Sequence, residues 1–197
     1  MKNPDIVIAI EPVVKAFEEL RVAYYIGGSV ASSACGVPRA TLDVDIIADL
    51  KPHQVHPFAE RLQSEYFIDE EMILTAIRRK ASFNLVHLKT MLKVDVFIVR
   101  DDTFHQEALR RKRKETLAEE PERKEFYFAS PEDIILSKLE WFYKGGNVSE
   151  RQWNDVIGIL KVQHKLLNME YLKQWAAELG LTALLNKSLH DAGIAIL

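Results

Sequence analysis

The chain has 197 residues, 48% of them hydrophobic, enough to bury a sizeable core in one domain or in a domain with a small appendage. Its formal charge of −3 excludes a general electrostatic pull toward nucleic acid, and its single cysteine, Cys35, excludes an intramolecular disulfide and a cysteine-based zinc cluster. No apolar run reaches the roughly 20 residues that cross a bilayer, and the apolar stretch 6–10 stops at Glu11, short of a signal-peptide core, so the expectation is a cytoplasmic protein without membrane contact.

Apolar positions at helical spacing run through residues 6–20, and Tyr24-Tyr25-Ile26 then reads as a short strand entering the pair Gly27-Gly28. A helix follows from Ser29 to about Cys35. After Gly36-Val37-Pro38-Arg39 comes a strand, Thr41-Leu42-Asp43-Val44-Asp45-Ile46-Ile47-Ala48. Residues 52–64 have Val55, Phe58, Ala59 and Leu62 on one side of a helix, and 70–79 form another. Two strands, 82–88 and 91–99, are separated only by Lys89-Thr90, which predicts an antiparallel hairpin. The basic runs Arg78-Arg79-Lys80 and Arg110-Arg111-Lys112-Arg113-Lys114 stand out. The second is either a solvated connection balanced by Glu115, Glu119, Glu120 and Glu122, or a surface for a polyanion such as RNA.

At Ser130-Pro131-Glu132-Asp133 the texture changes, because Ser130 suits an N-cap, Pro131 the first helical turn, and the two acids the helix dipole. Everything beyond reads helical: 131–143, 149–162, 169–179 and 181–190, separated by Gly145-Gly146, Asn168 and Gly180. This places a boundary near residue 129, between a segment 1–129 and a helical segment 130–197. Trp141, Trp153 and Trp175 read as core and inter-helix packing residues.

Side chains alternate between the faces of a strand, so Asp43 and Asp45 project together while Val44 and Ile46 face the other way. In Lys93-Val94-Asp95-Val96-Phe97-Ile98-Val99 the same rule sets Asp95 against Val94, Val96 and Ile98. If the two strands are neighbours, three carboxylates converge. Like charges on one face need a cation, and hard oxygen donors suit Mg²⁺ or Mn²⁺ rather than zinc. The blander alternatives are an exposed strand end or a pairing with Arg39. Upstream, Gly27 and Gly28 between strand and helix allow close approach of a bulky anion to free N–H groups, and Ser29 adds a hydroxyl. Together these features read as a metal-dependent phosphoryl-transfer site.

Lys138 falls in the middle of an apolar helical arc with Ile134, Ile135, Leu139 and Phe142. It either snorkels or pairs with a carboxylate, or it binds phosphate from across a cleft. Arg151 and Asp155, four apart on the next helix, read as an intrahelical ion pair. His53 and His56, between Pro52 and Pro57, have no evident third metal ligand.

The order Gly27-Gly28-Ser29, Asp43-x-Asp45, Asp95 resembles the polymerase-β-like nucleotidyltransferase superfamily. Glu132-Asp133-Ile134-Ile135-Leu136-Ser137-Lys138-Leu139 and Arg151-Gln152-Trp153-Asn154-Asp155-Val156 resemble the third and fourth motifs of its AbiEii-type members, from type IV toxin–antitoxin systems. The resemblance spans residues from about 25 to 156. It implies an α+β fold, a nucleotidyltransferase-type mixed β-sheet flanked by helices, followed by a C-terminal helical bundle. It implies that a nucleoside monophosphate passes from an NTP donor to an acceptor hydroxyl on RNA or protein, with a cognate antitoxin as a further partner. Asp43 and Asp45 would then bridge two metal ions and Asp95 complete one of them; Gly27, Gly28, Ser29, Lys138 and Asp155 would bind nucleotide. The alternatives are a catalytically silent nucleotide- or partner-binding module, and an aminoglycoside-type enzyme with a small-molecule acceptor.

Overall fold

Val44, Ile46 and Ala48 in one predicted strand, and Val94, Val96 and Ile98 in the other, are all buried, and the two strands form the centre of the sheet. The computed structural model describes residues 4–41, 43–117 and 124–194; Leu42 of the predicted strand, and Glu119, Glu120 and Glu122 of the predicted connection, lie outside them. Its strands, in chain order, are β1 (Tyr24–Ile26), β2 (Asp43–Ala48), β3 (Tyr66–Phe67), β4 (Ser82–His87), β5 (Lys93–Ile98), β6 (Arg113–Thr116) and β7 (Glu125–Phe128). They make a mixed sheet in the order β3-β4-β5-β2-β1-β7-β6, with β2–β5 and β1–β7 parallel and the other pairs antiparallel.

The helices are α1 (Pro4–Glu19), α2 (Gly28–Cys35), α3 (Val55–Leu62), α4 (Glu70–Arg79), α5 (Thr103–Arg110), α6 (Pro131–Lys144), α7 (Glu150–Gln163), α8 (Met169–Glu178) and α9 (Thr182–Asp191). Helices α1 and α3 close the apolar face: Phe17 lies parallel to Phe58 at 4.8 Å and stacks on Tyr24 of β1, and Phe58 meets Phe83 of β4 edge-on. The buried side of α3 is the predicted one, Val55, Phe58, Ala59 and Leu62. Caps fall where short polar side chains precede helical runs: Asp69, Asp102, Ser130, Ser149 and Asn168 each accept a backbone N–H of the first turn.

Four elements have no counterpart in the sequence reading: β3, α5, β6 and β7. Strand β3 has two residues, and β6 is an edge strand of Arg, Lys, Glu and Thr with no apolar alternation to reveal it. The solvated connection expected at 110–114 is thus the end of α5 and this edge strand. The hairpin loop is also wider than two residues, since β4 ends at His87 and β5 begins at Lys93. Thr90 holds that loop, its hydroxyl paired with His87 Nδ1 at 2.8 Å and accepting the Leu92 N–H. Residues 52–54 form a 3-10 turn ahead of α3. No helix among the described residues is long and apolar enough to cross a membrane.

Candidate active site

The parallel register of β2 and β5 sets Asp45 directly beside Asp95, with Asp43 beside Lys93 two residues earlier. The next strand places Asn84 beside Asp95 and Ser82 beside Phe97; on the other side Tyr25 lies beside Ile47. Two rungs therefore cross the polar face of the sheet, Asp45–Asp95–Asn84 and Tyr25–Ile47–Phe97–Ser82. The predicted convergence of carboxylate-bearing strands is what the sheet contains.

Gly28 sits against this arrangement. Its φ is +54°, and a Cβ there would stand 1.7 Å from Asp45 Oδ2, so only glycine leaves room for the carboxylate. The Ser29 N–H at the start of α2 hydrogen-bonds the Asp45 side chain, and the Gly27 N–H donates to the Asp45 carbonyl at 2.9 Å. Turn and strand thus position one another. Burial, together with the charges of Asp43 and Asp95, pushes the Asp45 carboxyl up to about 6, against the pull of Lys138 and the Ser29 N–H.

The neighbouring carboxylates are held apart by local partners. Asp43 accepts the Thr41 hydroxyl at 2.6 Å, and Asp95 pairs with Lys93 at 2.7 Å. Accordingly, among the described residues no group of three His, Cys, Asp or Glu side chains is arranged as it stands to hold a metal ion. The donor set nevertheless fits a hard divalent cation such as Mg²⁺ or Mn²⁺ in kind. It is carboxylate only, on one face, and its central member is driven toward protonation by burial and by its two acidic neighbours.

Helix α6 roofs this face. Ile134, Ser137, Lys138 and Trp141, spaced to lie on one side of the helix, line a cavity of about 520 Å³ whose floor includes Gly28, Asp45, Ile47 and Phe97. Lys138 is almost completely buried, and its ammonium pairs with Asp155 of α7 at 2.8 Å and donates to Gln152 Oε1 at 3.0 Å. Burial lowers the Lys138 pKa, against the bond to Asp155. Burial alone would raise Asp155, but hydrogen bonds from Arg39 and Lys138 hold it below the usual carboxylate range.

Arg39 is the residue that sequence reasoning undervalued. Its guanidinium grips Asp155 with two bonds, at 2.9 and 3.1 Å, and donates from Nη2 to the Ser29 hydroxyl. A chain therefore runs Ser29–Arg39–Asp155–Lys138, joining the glycine turn to the helical part. Arg39 does not neutralise Asp43 or Asp45 through a hydrogen bond, which removes one bland explanation for them. Nor is Arg151–Asp155 an ion pair: Arg151 is exposed, and Asp155 points inward to Arg39 and Lys138. Only the arginine's position just upstream of Asp43 could have signalled it. Trp141 also departs from expectation, being 53% exposed at the cavity instead of packed in the core. Among the described residues His53 and His56 belong to no metal group, and His56 pairs with Glu70 at the surface.

No family model and no curated protein matches this sequence. Solved structures do. The chain is similar to the solution structure of the antibiotic-resistance factor ANT(2'')-Ia, at 14% identity over 96% of this chain and 100% of that one, with a TM-score of 0.54. An antigenic nucleotidyltransferase-like protein from Paracoccidioides brasiliensis is 14% identical over 98% of this chain and 93% of its own, with a TM-score of 0.57. A crystal structure of ANT(2'')-Ia in complex with adenylyl-2''-tobramycin gives 13%, 89%, 97% and 0.54 for the same quantities. The fold is that of the nucleotidyltransferases, a mixed sheet flanked by helices as the sequence motifs imply.

Proposed function

We propose that this protein is a metal-dependent nucleotidyltransferase. The observation that carries the reading is the register of Asp45 against Asp95, directly under a positive-φ glycine turn and facing Lys138 across a cleft. In the reaction an acceptor hydroxyl oxygen forms a bond to the α-phosphorus of an NTP, the bond from that phosphorus to the bridging oxygen breaks, and pyrophosphate leaves. Mg²⁺ or Mn²⁺ bound through Asp43, Asp45 and Asp95 would supply Lewis acidity to the acceptor oxygen and charge neutralisation to the phosphates. Gly27, Gly28 and Ser29 offer the α2 N-terminus and a hydroxyl to the triphosphate. Arg39 holds the Ser29 hydroxyl, and Asp155 holds Lys138, whose ammonium neutralises the β and γ phosphates from the α6 side. Asp95, on the strand farther from the glycine turn, takes the acceptor proton.

Residues 1–129 supply the three carboxylates that would hold the metal, and residues 130–197 supply Lys138 and its anchor Asp155, a division of labour that we assign to two domains. The AbiEii-type resemblance extends the reading to a cytoplasmic toxin with an RNA or protein acceptor and a cognate antitoxin. The similarity to ANT(2'')-Ia extends it instead to a small-molecule acceptor. A module that holds nucleotide without turning it over is the remaining alternative.

Incubation with each labelled NTP, Mg²⁺ and whole-cell extract identifies donor and acceptor class together. Asp43→Ala and Asp95→Ala should bring transfer to background while the far-UV dichroism stays unchanged. Lys138→Ala should raise the apparent KM for NTP about tenfold, equivalent to ~1.4 kcal/mol. Wild-type transfer by either aspartate variant defeats the assignment, and nucleotide retention without transfer by the wild-type chain favours the silent module.

A further inference from the structure

We propose that the acceptor is a small hydroxylated ring compound, not a polynucleotide, seated on Phe97 and Trp141 with its polar groups against Ser82, Arg100 and Glu140. The proposal rests on the transfer reading above and deepens it. Direction comes from the order of strands. The glycine turn leaves β1, Asp45 lies on β2, and Asp95 lies on β5, beyond Asp45. Phosphates held at the turn leave the β5 side of the aspartates for the incoming hydroxyl.

The cavity continues on that side. Phe97 and Ser82 are neighbours on the rung after Asp95 and Asn84, and both line the cavity. Trp141 stands over them from α6, its ring 6.2 Å from that of Phe97 at an interplanar angle of 70°. Two aromatic rings meeting at such an angle, one of them half exposed, form an apolar corner for the face of a ring. At the rim, Arg100 Nη1 lies 3.3 Å from Glu140 Oε1, giving a fixed donor and acceptor side by side. A mostly apolar recess with a few fixed polar groups is the usual form of a small-molecule site.

Charge argues against a polyanion here. Lys80 is paired with Asp101 at 2.9 Å, Arg100 with Glu140, and His105 Nδ1 donates to Asp102 at 2.7 Å. Lys80 and Arg100, the cations that line this end of the cavity, thus already face carboxylates, which leaves them little free charge to offer a phosphate chain. The basic run 110–114 does not supply the deficit. Its strand, β6, is the opposite edge of the sheet, four strand spacings or about 19 Å from β5. Within that run Arg111 is committed to Glu132 and Asp133, and Arg110 to Glu107.

The test uses the full chain with Mg²⁺, labelled NTPs and cell extract separated into low-mass, RNA and protein fractions. Label should enter the low-mass fraction. Trp141→Ala should lower that transfer at least tenfold while NTP affinity, measured by calorimetry, changes less than twofold. Arg110→Glu combined with Arg113→Glu should leave transfer unchanged. Label in RNA or protein, undiminished transfer by Trp141→Ala, or a loss of NTP affinity in that variant overturns this proposal alone. No label in any fraction overturns the transfer reading and takes this proposal with it.

Discussion

Asp45 concentrates the physical argument of the site. Its carboxyl is raised from 3.8 to about 6 by burial and by Asp43 and Asp95, a difference on the order of 3 kcal/mol between ionised and neutral forms. The folded chain therefore holds this proton more tightly than the unfolded chain. Stability is undiminished below the unfolded value, falls as pH rises from about 4 to about 6, and carries the full penalty above that window. Asp45→Asn should melt higher than wild type at pH 7.5 in chelator, with the difference closing toward pH 4, and Mg²⁺ should stabilise the wild type more than the variant. A melting difference that ignores pH would show that Asp45 is not under this pressure. The three aspartates and Lys138 were legible because charge interrupting an apolar period is visible in one dimension. The partnership of Arg39 with Asp155 was not, because 116 residues separate them and neither sits in an apolar strand.

Among the elements, α2 and α7 decide whether the glycine turn keeps its place. They meet where Gly36 ends α2. A Cβ at Gly36 would stand 2.9 Å from the Ile159 backbone nitrogen and 3.0 Å from the Gly158 carbonyl carbon, so the helices touch through backbone. Gln163, at the end of α7, donates to the Cys35 carbonyl at 2.9 Å and closes the same junction. Gly36→Ala must push α7 away; we expect a loss of about 1–3 kcal/mol, seen as a melting temperature lowered by roughly 3–10 °C. An unchanged melting temperature would mean that the crossing is slack. Apart from α5, the helices were readable from apolar period and caps such as Ser130, and the central strands from their Val and Ile alternation. Strand β6 was not, since an exposed polar edge owes its conformation to its partner β7 and not to its own residues.

The whole molecule is locked by a polar cluster away from the cleft. Arg111, between α5 and β6, stacks its guanidinium 3.7 Å above the Tyr171 ring of α8 and reaches Glu132 at 3.1 Å and Asp133 at 3.5 Å at the start of α6. Asp133, 1% exposed, also accepts the Ser130 and Tyr171 hydroxyls at 2.6 and 2.7 Å, and Glu132 accepts the Asn168 N–H. A basic run that looked like a solvated surface thus contains a structural rivet. Arg111→Met leaves those buried acids short of charge and should cost about 2 kcal/mol. Because the cluster ties residues on both sides of position 129, urea unfolding should remain a single transition with coincident fluorescence and dichroism. Two separated transitions would mean that the helical segment unfolds by itself.

The pairing of Asp45 with Asp95 has a further consequence for how the chain reaches this state. Sliding β5 by one residue along β2 would turn Asp95 into the layer occupied by Val44, Ile46 and Val96, where an ionised oxygen has no counterpart and no water. The carboxylates thus act as proofreaders during assembly, rejecting every misaligned zipper of the two central strands that is off by an odd number of residues before any substrate arrives.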